Sequence, residues 1–189
     1  MVGGFLATFV LAFVFAAVSE TRQSTTVAIS TTVLGAAWIG LGLGFLLLIR
    51  EAPEGDHLAL FAVLLTVFVA DTFAYIGGRI AGRHKMTPVV SPGKTWEGFI
   101  VGSVAGVLTT WVWLYEENYL SDGWHSFLLG GVVVIAAAMG DLFESLVKRD
   151  LGAKDTGRLL LGHGGMLDRV DSFLFAAPVV TLYVVAVVA

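Results

Sequence analysis

Six long apolar runs, separated by short polar segments, dominate the sequence. They cover about residues 2–18, 26–49, 58–78, 97–115, 126–147 and 170–189. A helix needs roughly 17 to 25 mainly apolar residues to cross a bilayer, and within lipid only helices or closed barrels satisfy every backbone polar group. The pattern therefore predicts an all-α, polytopic membrane protein with about six transmembrane helices.

Composition supports this class, since 57% of the 189 residues are hydrophobic and only 14% are charged. The absence of cysteine excludes disulfides, thiolate zinc sites and cysteine nucleophiles. The first apolar run has no basic segment before it and a second run follows closely, so we interpret it as a span and not as a signal peptide. No internal repeat or low-complexity linker divides the chain, which predicts a single membrane domain over residues 1–189.

The distribution of basic residues predicts the orientation in the membrane. Ten of the eleven Lys and Arg residues fall in the first, third and fifth loops, whereas the fourth loop, with Glu116, Glu117 and Asp122, has none. By the positive-inside rule the three basic loops face the cytoplasm and both termini face outward. Bases in loops three and five also suit ligand chemistry, which weakens them as indicators of topology.

The fifth apolar run carries polar residues at helical spacing. Asp141, Glu144, Ser145 and Lys148 follow the pattern i, i+3, i+4, i+7 and therefore share one face of a helix. An aspartate in a span is equally well explained as a polar contact paired with a base on another helix. The neighbouring acids favour a functional site.

Asp168 and Asp171 lie at the start of the sixth run, where one acid alone would be an ordinary partner of the helix dipole. Together with Asp141 and Glu144 they predict a carboxylate cluster. Such a cluster needs a cation, and oxygen ligands without cysteine favour Mg²⁺ completed by phosphates. The preceding turn, His163, Gly164 and Gly165, exposes backbone N–H groups of the kind that bind phosphate.

A second cluster precedes the fourth apolar run. It consists of Ser91, Pro92, Lys94, Thr95 and Glu97. Thr95 is placed to cap the helix whose N-terminus favours an anion, and Lys94 is then placed to contact a phosphate. A plain helix cap explains Thr95 and Glu97 without any ligand, but it does not explain Ser91, Pro92 and Lys94 together.

Asp71 and Tyr75 lie one turn apart in the third run, followed by several glycines. An intramembrane aspartate needs a partner, for which Arg79, Lys94 and a substrate group are all candidates. The glycines are equally consistent with close helix packing.

These segments resemble the phosphatidate cytidylyltransferases, also called CDP-diacylglycerol synthases. The family signature, S-x-x-K-R through K-D and H-G-G to D-R-x-D, is matched by Ser145, Lys148, Arg149, Lys154, Asp155, His163, Gly164, Gly165, Asp168, Arg169 and Asp171. The segments ADTFAYIGGRIAGRHK and SPGKTWEG extend the resemblance over about residues 66–176.

The resemblance implies transfer of CMP from CTP to phosphatidic acid, with release of pyrophosphate. It implies Mg²⁺, with K⁺ beside it, held by Asp141, Asp168 and Asp171. The implied catalytic residues are Asp141, Lys148, Arg149, Lys154, Asp155, Asp168 and Arg169. The implied substrate-binding residues are Asp71, Tyr75, Ser91, Pro92, Lys94, Thr95, Glu97, Glu144, Ser145, His163, Gly164 and Gly165.

The expected setting is the bacterial inner membrane, with a polar cavity that opens to the cytoplasm. We expect a homodimer in the bilayer and no nucleic-acid partner. Family members usually carry further N-terminal spans, so the sequence is interpreted as a short homologue or a fragment with a complete catalytic part. A CTP-dependent lipid kinase, a cytidylyltransferase for an isoprenoid ether lipid and a transporter remain as alternatives, although no inverted repeat supports transport.

Overall fold

The computed structural model describes residues 2–18, 24–50, 57–114, 123–153 and 165–188. Within these ranges the helices are α1 (Val2–Val18), α2 (Thr25–Gly35), α3 (Gly42–Arg50), α4 (His57–Ala81), α5 (Trp96–Leu114), α6 (Trp124–Asp150) and α7 (Asp171–Val188). A short hairpin, β1 (Lys85–Thr87) and β2 (Ser91–Thr95), lies between α4 and α5.

The predicted all-α membrane architecture is confirmed. Within the described ranges, four helical segments are long and apolar enough to span a bilayer: Thr25–Ile49, Leu60–Ala81, Trp96–Leu114 and Trp124–Asp150. The first and last apolar runs form the shorter apolar helices Gly3–Val18 and Asp171–Ala186. All six predicted runs are therefore helical, but the outer two are shorter than the four between them.

The span from α2 to α3 is interrupted by a π-helical segment, Ala36–Leu41, which the hydrophobic pattern did not predict. Trp38 of this segment meets Phe143 of α6 edge to face, with ring centroids 4.9 Å apart. Phe143 in turn packs against Phe175 of α7 at 5.3 Å. These rings fix the second span against the helices that carry the acidic residues.

Helices α4 and α5 cross through small residues placed four apart on both surfaces. They are Ala70, Ala74 and Gly78 on α4 and Gly98, Gly102 and Gly106 on α5. A Cβ atom on Gly102 would lie 2.5 Å from the Ala70 carbonyl oxygen, and one on Gly98 would lie 2.5 Å from the Ala74 carbonyl oxygen. Only glycine therefore permits this approach of the two backbones. The glycines that follow Asp71 do serve close packing, one of the two interpretations left open by the sequence.

One further turn along this contact, the hydroxyl groups of Thr66 and Thr110 are 2.7 Å apart and fully buried. The apolar core continues beside it, between α4, α6 and α7. Its fully buried members include Ala62, Val67, Leu129, Val133, Ala176, Ala177 and Val180. Packing of this kind holds the helix ends in fixed relative positions.

The third loop forms an antiparallel hairpin in which Lys85 faces Thr95 and Thr87 faces Ser91. Strand β2 runs directly into α5, and the Thr95 hydroxyl accepts a hydrogen bond from the Gly98 N–H at 3.2 Å. The predicted cap is confirmed. The hairpin was not anticipated from the sequence.

Candidate functional site

The ends of four helices meet the hairpin around one cavity of about 490 Å³. Helices α4 and α6 end there, whereas α5 and α7 begin there. Part of the wall is formed by small or apolar residues: Ala70, Ala74, Gly102, Val134, Ala137 and Ala138. The charged residues of the wall are Asp71, Arg79, Lys94, Asp141, Glu144, Lys148, Asp168 and Asp171. The cavity is therefore lined by both charged and apolar residues.

Two lysines bridge elements that are distant in sequence. The Lys94 ammonium of β2 lies 2.6 Å from a carboxylate oxygen of Asp141 on α6. The Lys148 ammonium lies 2.6 Å from Asp168 and 3.5 Å from Glu144. The predicted sharing of one helix face by Asp141, Glu144 and Lys148 is confirmed. Asp168, just before α7, and Asp171, its first residue, line the same cavity as these three residues.

The second oxygen of Asp168 accepts a hydrogen bond from the backbone N–H of Gly165 at 2.6 Å. This contact closes a short turn before the 3₁₀ segment Leu167–Arg169. Asp168 is therefore fixed from two directions, by the Lys148 ammonium on one oxygen and by a backbone donor on the other. The orientation of this carboxylate is therefore set before any ligand binds.

Asp71 reaches across from α4 to the start of α7. Its carboxylate accepts a hydrogen bond from the Ser172 hydroxyl at 3.4 Å, and it lies close enough to Asp141 and Asp171 for the charges to repel. Arg79, one of the partners considered for Asp71, instead donates to the Tyr75 hydroxyl at 3.1 Å. Asp71 thus lies with Asp141 and Asp171, and its hydrogen-bond donor is Ser172, a residue that the sequence analysis did not single out.

Glu144 is the most deeply buried acid of the cavity wall, with a side chain only 1% exposed. Neither of its carboxylate oxygens accepts a hydrogen bond from any described residue. It faces Asp171 and Lys148, and Gly140, one turn before it, lets the backbone of Asp171 approach, since a Cβ atom there would lie 2.5 Å from the Asp171 carbonyl oxygen. Its ion-pair partner Lys148, 3.5 Å away, also pairs with Asp168 at 2.6 Å. A buried carboxylate is costly unless it is both paired and hydrogen-bonded, so this position favours a cation or a ligand donor.

The donor set fits a hard divalent cation. Five carboxylates and three basic side chains line the cavity, an excess of two negative charges, and carboxylate oxygens are the ligands that Mg²⁺ prefers. Among the described residues, no three acidic or histidine side chains converge closely enough to hold a metal ion by themselves. Protein Mg²⁺ sites usually use one or two carboxylates together with substrate phosphates, so the metal assignment to Asp141, Asp168 and Asp171 stays a prediction.

Several predicted site residues lie outside the cavity wall. Glu97 binds the backbone and side chain of His84, Ser145 donates to Asp141 at 3.5 Å, and Arg149 donates to the Val90 carbonyl oxygen at 3.2 Å. Pro92 and Arg169 are exposed and do not belong to the wall of the cavity as described. Lys154, Asp155, His163 and Gly164 lie outside the described residues, so their predicted roles stay predictions.

The cavity also contains polar residues that sequence reasoning did not single out, notably Ser103 and Ser172. The Ser103 hydroxyl is buried and has no hydrogen-bond partner among the described residues. The signal for Ser172 was its place directly after Asp171, at the start of a helix. Ser103 had no such signal, because a single serine in an apolar run is common.

Comparison with known proteins agrees with the residue pattern. A profile described as the cytidylyltransferase family matches residues 2–187. The phosphatidate cytidylyltransferase of Staphylococcus haemolyticus (strain JCSC1435) is 41% identical over 145 residues, which cover 77% of this chain and 55% of the relative. That of Staphylococcus saprophyticus is 40% identical over 147 residues, covering 78% and 56%. That of Staphylococcus aureus (strain COL) is 41% identical over 147 residues, covering 77% and 55%. The chain therefore spans about half the length of these curated relatives.

Proposed function

Because the chain belongs to the cytidylyltransferase family, we propose that it transfers a cytidylyl group from CTP to phosphatidic acid in a membrane. The products are CDP-diacylglycerol and pyrophosphate. A phosphate oxygen of phosphatidic acid forms a bond to the α-phosphorus of CTP, and the bond from that phosphorus to the pyrophosphate oxygen breaks. The attacking phosphate is already an anion, so the step needs no strong base.

The observation that supports this proposal most is the pairing of two lysines with carboxylates around one cavity, Lys94 with Asp141 and Lys148 with Asp168. Phosphoryl-type transfer depends on positioning and charge neutralisation more than on covalent catalysis. Lys94 and Lys148 enter the cavity from different elements, so they can neutralise phosphates on two sides of a reacting phosphorus. The chain supplies no cysteine nucleophile, and this reaction requires none.

A divalent cation fits the same chemistry. A cavity with more carboxylates than bases repels a nucleotide triphosphate unless a cation accompanies it. We propose that Asp141, Asp168 and Asp171 contribute to holding Mg²⁺, which when bound withdraws charge from the phosphate oxygens. A neighbouring K⁺ belongs to the same proposal. The acids of this chain would orient the cation, while the lysines bind the phosphates.

The shape of the cavity suits a lipid and a nucleotide together. Apolar residues of the membrane-spanning helices, such as Ala70 and Val134, line it together with the charged residues. A lipid phosphate at the membrane surface could therefore meet a nucleotide that enters from water. We propose the bacterial cytoplasmic membrane as the location, with the cavity facing the cytosol, where CTP is found. A homodimer stays a prediction of the resemblance.

CTP labelled at two positions tests the reaction. Purified protein is incubated in mixed micelles with phosphatidic acid, diacylglycerol or an ether-linked isoprenoid phosphate. With phosphatidic acid it should incorporate label from the α-phosphorus into lipid, and no acceptor should take up label from the γ-phosphorus. Asp141→Asn serves as the matched variant, because it removes one carboxylate charge and is expected to abolish incorporation. Transfer of the γ label to diacylglycerol would establish a lipid kinase instead. Preferential labelling of an ether-linked isoprenoid phosphate would identify a different acceptor, and no lipid labelling with any acceptor would refute both enzyme classes.

A further inference from the structure

The β1–β2 hairpin forms one wall of the cavity and carries Lys94, one of its basic residues. Its cavity-lining residues are Met86, Ser91, Gly93, Lys94 and Thr95. Lys94 reaches Asp141 on α6 at 2.6 Å. The hairpin has only two short strands, and an isolated two-stranded hairpin is marginally stable in water. Contacts outside the hairpin must therefore fix the position of Lys94.

The first such contact lies at the base of the hairpin. Glu97, in the first turn of α5, accepts hydrogen bonds from the backbone N–H groups of Arg83 at 3.1 Å and His84 at 3.2 Å. The His84 ring nitrogen Nδ1 lies 2.5 Å from the same carboxylate. One carboxylate thus ties the segment between α4 and β1 to α5.

The second contact lies at the turn of the hairpin. The Arg149 Nε–H donates to the carbonyl oxygen of Val90 at 3.2 Å, although the two residues are 59 positions apart. Arg149 directly follows Lys148, which is fixed by Asp168. The guanidinium therefore ties the turn to the end of α6, the helix that also carries Asp141.

We propose that Arg149 and Glu97 are positioning residues that hold the hairpin from opposite ends and so place the Lys94 ammonium over the cavity. For Arg149 this role replaces the catalytic role that the family resemblance implied. The two tethers act on backbone atoms, so their loss changes where Lys94 stands without removing its charge. The positional part of this inference is independent of the proposed function, whereas its kinetic part rests on it.

The position of the hairpin can be measured directly because the chain contains no cysteine. Val89 lies in the turn with its side chain 88% exposed, so Val89→Cys accepts a nitroxide spin label. In the purified full chain, Arg149→Gln and Glu97→Ala should each sharpen the spectrum, which reports faster motion of the turn. Arg83→Gln is the matched control, since Arg83 contributes its backbone N–H and not its side chain to the Glu97 contact.

The spectra decide the positional part. An unchanged line shape in both Arg149→Gln and Glu97→Ala would overturn the inference. The two variants remove opposite tethers, so poor folding of one leaves the other as a test. Sharpening in Arg83→Gln as large as in the two tether variants would also count against it, because motion would then not depend on these contacts.

A double-mutant cycle tests the kinetic part. Lys94→Ala should raise the KM for CTP on the order of tenfold, as expected for a lost charge-assisted contact. If Arg149 acts through Lys94, Arg149→Gln should raise the KM in the native background and add less than about twofold to Lys94→Ala. If the double variant instead raises the KM for CTP by the product of the two single-variant factors, Arg149 contacts the phosphate directly. Lack of cytidylyl transfer by the unmodified chain would contradict the proposed function and leave the spin-label result unaffected.

Discussion

Replacing Gly102 by alanine probes the contact that sets the distance between α4 and α5. A Cβ atom at this position would lie 2.5 Å from the Ala70 carbonyl oxygen, 2.7 Å from the Ala74 Cβ and 3.0 Å from the Ala74 nitrogen. Two of these atoms belong to the backbone and cannot rotate away. The helices would have to separate by about 0.9 Å to restore an ordinary contact of 3.4 Å.

The cost of this separation can be placed in a range. Overpacking a well-packed interior by added methyl groups destabilises a protein by about 1 to 3 kcal/mol. For a chain of this size each 1 kcal/mol lowers the Tm by about 2 to 4 °C, so we expect a loss of about 2 to 12 °C. The buried hydrogen bond between Thr66 and Thr110, further along the same contact, would be weakened by the same movement.

The measurement is thermal unfolding of the purified protein in one detergent, followed by loss of monodispersity. Gly131→Ala is the matched control, because Gly131 lies inside α6 and a Cβ atom there would meet nothing within 4 Å. Alanine is favoured over glycine in a helix interior by roughly 0.5 to 1 kcal/mol, so the control should keep or raise the Tm. A Gly102→Ala protein as stable as the control would show that α4 and α5 do not pack through this glycine.

Three further outcomes test the site and its orientation. Asp168→Asn should yield a folded protein without turnover, since it removes the charge that faces Lys148; near-normal activity across a Mg²⁺ titration would contradict the metal assignment. Lys94→Ala should raise the KM for CTP or phosphatidic acid about tenfold, and unchanged kinetics for both would leave Lys94 without a substrate contact. Single cysteines introduced at Asp122 and Gly157 should react differently with an impermeant thiol reagent on intact cells, with labelling at 122 only. Labelling at 157 instead would invert the topology and conflict with use of cytosolic CTP.

Helical periodicity made part of the site predictable. The spacing of Asp141, Glu144 and Lys148 alone placed them on one face, because a helix brings residues three and four apart together. The cap at Thr95 was equally accessible from local pattern. Local pattern does not specify long-range pairing, so the contact between Lys94 and Asp141 was one of several possibilities.

The elements that were not predicted have no periodic pattern of apolar and polar residues by which to recognise them. Strands β1 and β2 are three and five residues long and include the sequence Ser-Pro-Gly, without the alternation of apolar and polar residues that indicates a strand. The π-helical segment around Trp38 lies within a long apolar run. Such a run has no alternation of polar and apolar residues that would reveal a local change in helix type. The family resemblance implied a catalytic role for Arg149, whereas its described partner, the Val90 carbonyl oxygen, lies in a turn 59 residues away.

The two lysine–carboxylate pairs have a consequence for selectivity. Lys94 and Lys148 already make charge-assisted contacts with carboxylates at 2.6 Å. A phosphate that binds these lysines must displace the carboxylates, so its net binding free energy is only the difference between the two kinds of contact. Each acid that loses its lysine then needs a new counter-charge in a partly buried place. A nucleotide that arrives with a divalent cation supplies both replacements in one event, whereas inorganic anions supply only one. If the proposed function holds, we therefore expect the cavity to favour a metal-bound triphosphate over inorganic phosphate, because only the former balances both charges.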